Sequence, residues 1–123
     1  MTQDVKNLRV LEHIVDYCDD ILSSVERFGR DSSLFSSDRD YRNSCMLSLM
    51  QIGELAKKLT DEFRGEFDEM PWGQISGLRN IIAHDYINID HTAVWLTINK
   101  DIPPLKRYCE TISNLLRQRI SEE

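Results

Sequence analysis

"LRVLEHIVDYCDDILSSV", residues 8–25, decides the fold class. Leu8, Leu11, Val15, Cys18, Leu22 and Val25 recur every three or four residues, the spacing of one helical face. Val10, Ile14, Tyr17 and Ile21 make a second stripe beside it. Together they give an apolar surface wider than a helix resting on one neighbour needs. The pattern predicts a helix from about Asp4 to Phe28, stopped near Gly29.

Working outward, "GRDSSLFSSDRD" (29–40) is polar and serine-rich and reads as a loop, with Ser37 or Asp38 capping the next helix. Tyr41, Cys45, Leu49, Ile52, Ala56 and Leu59 carry that helix to about Thr60. Gly53 in its middle costs about 1 kcal/mol relative to alanine, which a close helix–helix approach would explain. "DEFRGEFDEM" (61–70) is a charged connector with a helical turn. Pro71 suits the first position of a further helix whose buried face is Trp72, Ile75, Leu78 and Ile82.

After "YINID" (86–90), Asp90 caps a helix holding Val94, Trp95 and Ile98. Asp101 caps the next, with two prolines at its start and Leu105, Tyr108, Cys109, Ile112, Leu115, Leu116 and Ile120 inside. No internal repeat or interdomain linker interrupts the chain. The expectation is all-α: an up-and-down bundle of four to five helices in one domain, residues 1–123.

Composition agrees. An apolar fraction of 41% and a charged fraction of 29% suit a soluble globular protein. Five glycines and three prolines are too few for a fold built on many tight turns. A net charge of −6 argues against non-specific coating of DNA but leaves room for a small RNA-handling site with a few local cations. Cys18, Cys45 and Cys109 are odd in number, with no CxxC pair, and each falls on an apolar stripe. They read as buried thiols in a reducing compartment. "MTQDVKNLRV" lacks the apolar core of a signal peptide, and no apolar run approaches the roughly 20 residues of a membrane span. A cytoplasmic location, with no membrane partner, is expected.

"RNIIAHDY" (79–86) holds the candidate chemistry. The bland reading is a helix end: a histidine in the last turn interacts favourably with the helix dipole, and a tyrosine after it packs. The chemical reading starts from an RNA phosphodiester. Its 2′-hydroxyl must lose a proton, the leaving oxygen must gain one, and charge builds on the phosphate. Histidine, with a reference pKa of ~6.5, takes either proton role near neutrality. Arginine offers a fixed fork of donors to phosphate oxygens.

Positions five apart on a helix lie about 140° apart around its axis, so Arg79 and His84 diverge on a continuous helix. They would converge if the helix stopped near Ala83, or across a twofold dimer. The sequence leaves both routes open. A dimer would also supply the second proton-transfer group that one histidine lacks.

A metal site drawing on His84, Asp85, Asp90 or His91 is weaker, because an HD doublet needs further ligands upstream and His13 is the only earlier histidine. No glycine loop cradles a phosphate. Lys57 with Lys58, and Lys100 with Lys106 and Arg107, read as solvated faces; Trp72 and Trp95 read as core.

Arg79, His84 and Tyr86 form an R-x4-H-x-Y pattern flanked by "QIGELAKKL" (51–59), "PWGQISGLRNIIAHDY" (71–86) and a VW/DIPPL pattern (94–105). This resembles the HEPN superfamily, and within it the HepT-like toxins of type II-like toxin–antitoxin pairs. The resemblance covers most of the chain. It implies an all-α homodimer acting as a metal-independent endoribonuclease with no cofactor and RNA as substrate. It makes Arg79 and His84 the catalytic pair, with Asn80 and Asp85 supporting them. It makes Tyr86 the residue that a minimal nucleotidyltransferase antitoxin modifies with AMP to silence the toxin. The alternative is a non-catalytic helical subunit that helps a minimal nucleotidyltransferase hold its substrate. A purely structural dimerisation bundle is a third reading.

Overall fold

The two apolar stripes of the first segment lie on one long helix in a computed structural model that describes residues 2–123. Seven α-helices follow in chain order among the described residues: α1 (Thr2–Phe28), α2 (Ser32–Ser37), α3 (Arg39–Ala56), α4 (Asp61–Glu66), α5 (Trp72–Asp85), α6 (His91–Lys100) and α7 (Ile102–Ser121). A 3-10 turn, Tyr86–Asn88, joins α5 to α6. No strand forms among these residues, and no helix of theirs is long and apolar enough to cross a membrane.

The breadth of the α1 stripe has a direct cause. α1 packs along α3 on one side and α7 on the other, and α3 packs in turn along α5. Val10, Leu11, Ile14, Cys18, Ile21 and Val25 are therefore all buried. Paired side chains fix the directions. Asn7 meets Thr60 and Ser24 meets Ser44, so α1 and α3 are antiparallel. Asp4 meets Arg119 and Asp19 meets Lys106, so α1 and α7 are antiparallel too. The four long helices make the expected up-and-down bundle. Gly29 ends α1 with a φ of 109°, a left-handed conformation natural to glycine.

Two short helices exceed the expected four to five. The stretch expected as a loop contains α2: Asp31 accepts the Ser33 N–H at 2.8 Å, and Phe35 is buried with its ring 5.1 Å from Tyr41 and 5.3 Å from Trp95. The charged connector contains α4, which buries Phe63 and is followed by buried Phe67. Six residues with one inward aromatic carry no periodicity to read.

α3 stops at Ala56, short of Thr60, because Thr60 caps α4 through the Phe63 N–H. Buried Asn7 also engages Thr60 twice, donating to its hydroxyl and accepting its N–H, both at 3.1 Å. Pro71 precedes α5 as its cap residue, one place earlier than expected. Asp38 and Asp90 cap α3 and α6 as read, whereas Asp101 sits at the bend between α6 and α7 with no side-chain capping bond. Leu115, expected inside, is exposed.

α3 and α5 approach closely at Gly53. A Cβ there would lie 2.8 Å from the Arg79 backbone nitrogen and 3.0 Å from the Ile75 carbonyl oxygen. α3 and α5 thus touch backbone to backbone, which explains the mid-helix glycine. Gly53→Ala adds helix propensity of about 1 kcal/mol, but the clash is with main chain, which cannot swing aside, and overpacking costs about 1–3 kcal/mol. The expected result is a net loss of up to about 2 kcal/mol, read as a lower midpoint in thermal unfolding followed by circular dichroism. An unchanged or higher midpoint would show that the two helices part freely.

Candidate active site

α5 does not stop at Ala83. It runs through Asp85 and tightens into the 3-10 turn at Tyr86. That closes the route by which Arg79 and His84 would meet within one chain; they stand about 140° apart on an unbroken helix. Positions 79 and 86, seven apart, share the side facing α3, and positions 80 and 84 share the outward side.

Arg79 is placed by the contact at Gly53, which presses its own backbone against α3. Its Nε lies 3.5 Å from Glu54 Oε2, and its Nη1 donates to Asn80 Oδ1 at 3.2 Å. Arg79 and Glu54 are both nearly half exposed, so their attraction is worth at most about 1 kcal/mol. The guanidinium is oriented by this pair yet weakly held. Asn80 touches Arg79 and also stands one turn before His84, between the two candidate groups.

His84 and Asp85 are exposed, and neither side chain has a hydrogen-bond or ion-pair partner among the described residues. Tyr86 is 43% exposed and its hydroxyl donates to Asn43 Oδ1 on α3. The structure therefore brings Arg79 and Asn80 together and leaves His84 and Asp85 apart from them.

Two neighbours escape a reading of the local motif: Glu54, beside Arg79, and Asn43, beside Tyr86. With Leu47 and Met50 they follow one edge of α3 at helical spacing, but only the antiparallel register of α3 on α5 says what they face. Large apolar side chains are exposed as well: Leu47 at 58% on this edge of α3, Ile87 at 91% next to Tyr86, and Ile81 at 53% on the other side of α5, where it lines a groove with Ile102 and Leu105 of α7.

The other candidates resolve simply. The three cysteines are buried, and burial pushes the Cys18 thiol up to about 12 and the Cys45 thiol up to about 11, with Cys109 also raised. They are core residues with little thiolate character. Among the described residues no three His, Cys, Asp or Glu side chains are grouped as metal ligands would be. Trp72 is buried, with its indole N–H on the Phe67 carbonyl at 2.8 Å, and Trp95 is half-buried against Phe35. Lys106 pairs with Asp19 at 2.7 Å.

Comparison with known proteins follows the same residues. A family model described as "Ribonuclease HepT-like" matches residues 10–112. A protein of Caldanaerobacter subterraneus subsp. tengcongensis, provisionally named an RNase, is 32% identical over 102 residues, which is 83% of this chain and 89% of its own. A Methanocaldococcus jannaschii protein, also provisionally named an RNase, is 29% identical over 110 residues, covering 89% of this chain and 97% of its own. "Probable ribonuclease HepT" of Thermococcus cleftensis is 30% identical over 96 residues, covering 74% of this chain and 87% of its own. No solved structure matches significantly. The chain belongs to the HepT-like ribonuclease family of endoribonucleases.

Proposed function

We propose that the chain is the toxin of a toxin–antitoxin pair, a cytoplasmic homodimer that cuts RNA without a metal and is silenced by AMP on Tyr86. The observation that carries this reading is the unbroken α5, which turns Arg79 and His84 away from each other. A site that needs both, and needs two proton carriers, is completed by a second copy. Exposed Leu47, on the edge of α3 between Asn43 and Glu54, gives such a copy an apolar side chain to cover.

In that composite site one His84 takes the proton of the 2′-hydroxyl as its oxygen attacks phosphorus. The 2′-O–P bond forms, the 5′-O–P bond breaks, and the other His84 gives its proton to the departing 5′-oxygen. The strand ends in a 2′,3′-cyclic phosphate. Arg79 exchanges its weak partner Glu54 for the non-bridging oxygens, where charge accumulates. Asn80 steers the guanidinium through its amide oxygen. Asp85 follows His84 directly and is exposed with it at the same end of α5, where it supports the site.

Tyr86 is the control point. Its ring is accessible, and its phenol oxygen is a nucleophile for adenylyl transfer by a minimal nucleotidyltransferase. The hydroxyl proton leaves, the phenol oxygen bonds to the α-phosphorus of ATP, and pyrophosphate departs. The bulk and negative charge placed two residues from His84 then exclude RNA. The competing reading, a non-catalytic subunit that helps a nucleotidyltransferase hold its substrate, uses Arg79 for a phosphate without cutting it.

Purified protein with unmodified Tyr86, incubated with labelled RNA in excess EDTA, is expected to cleave it. His84→Ala should lose about 10²–10⁴-fold in rate with its circular dichroism unchanged. Cleavage by His84→Ala at the parental rate sinks the catalytic assignment, and failure of both proteins favours the non-catalytic subunit. With the cognate nucleotidyltransferase and labelled ATP, the parent should take up label and Tyr86→Phe none. Equal labelling of both would place the modification elsewhere.

A further inference from the structure

A groove opens where the start of α3 meets the connection from α5 to α6. Arg39, Arg42, Asn43, Tyr86, Ile87 and His91 line it around a volume of about 410 Å³. No carboxylate is among its lining residues, on a chain whose net charge is −6. None of the nearby acids, Asp38, Asp40, Asp85 and Asp90, lines it. Asp38 accepts the Tyr41 N–H, Asp40 lines a separate groove with Arg27, and Asp90 accepts two N–H groups at the start of α6.

Arg42 is held in place. Its Nη1 donates to the carbonyls of Phe35 and Ser36 at the end of α2, which fixes the guanidinium plane. Among the described residues its Nε and Nη2 have no partner, so one edge of the fork remains available for two donor bonds to a single anion. Arg39 stands one turn earlier on the same face and has no ion-pair or hydrogen-bond partner among the described residues. Two like charges at this spacing repel unless an anion sits between them. The partly exposed Tyr86 lines the same groove, and a tyrosine ring is a group on which a base stacks.

From this geometry we infer that the groove is a phosphate subsite for single-stranded RNA beside the cleavage site. Arg39 and Arg42 clamp one backbone phosphodiester, and the Tyr86 ring supports the adjoining base. That this phosphodiester flanks the scissile one rests on the His84 reading above; that the groove holds RNA does not. The subsite gives an acidic chain a local hold on a polyanion, and it binds substrate without touching the reacting atoms. An AMP group on Tyr86 would fall into this groove and exclude the strand from it.

The test uses the full chain, unmodified, with a labelled 2′-O-methyl oligonucleotide, which binds without being cut. Affinity is measured against salt for the parent, Arg39→Gln, the double variant Arg39→Gln/Arg42→Gln, and the control Arg9→Gln/Lys58→Gln. The control residues line a different basic groove that contains no residue of α5. The double variant should bind at least tenfold more weakly, and its plot of log affinity against log salt should be shallower by about 0.7, one single-strand phosphate contact. Arg39→Gln alone, at a position with no partner to lose, should move both in the same direction. With cleavable RNA the loss should fall on KM with kcat retained, as for a contact made equally in ground and transition states.

Parental affinity and slope in both groove variants, or an equal change in the control, overturns the subsite. So does a parent that fails to bind the oligonucleotide. A parent that binds with the expected slopes but never cleaves RNA overturns the catalytic reading alone.

Discussion

Contact between main chains at Gly53 and Arg79 is the constraint on which the rest of this molecule depends. Most helix pairs are spaced by side chains, which can repack; here nothing lies between the two backbones that could yield. The contact fixes how α5 lies along α3, and with it what each position of one helix faces on the other. Arg79 comes to Glu54 and Tyr86 to Asn43 because that register is set a few turns away. The candidate site is a consequence of packing before it is a consequence of any polar interaction within it.

Charge is distributed to match. Acidic side chains dominate the chain as a whole, and several are engaged in ion pairs: Asp4 with Arg119 and Glu12 with Arg117 tie α1 to α7, and Glu66 with Arg119 ties α4 to α7. Around α5 the pattern reverses. Arg79 has only a solvated partner, and Arg39 has none among the described residues. Arginines beside α5 without an ion-pair partner among the described residues, and a groove without a lining carboxylate, give a polyanion a local attraction that the acidic chain as a whole does not.

Much of this was legible in the sequence, for a physical reason. α1, α3, α5 and α7 are long enough for apolar residues to repeat several times, and the caps of α3 at Asp38 and of α6 at Asp90 are local chemistry. α2 was not legible, and α4 only as a helical turn, since six residues with one inward aromatic are too few to show a period. The stretch 79–86 announced its chemistry because the residue types alone carry it. Its geometry did not follow: nothing local distinguishes a helix that ends at Ala83 from one that continues to Asp85. Glu54 and Asn43 were invisible as site neighbours, because only the α3–α5 register reveals them.

The position of α1 has a consequence for synthesis. One of its apolar faces is covered by α3, which follows within a few dozen residues, but the other waits for α7, residues 102–121. Until that segment has been made, a greasy stripe of the nascent chain remains open to water or to a chaperone. The bundle that seats α3 and α5 therefore closes late, and an RNA-cutting chain emerging among ribosomes stays unassembled during most of its own translation.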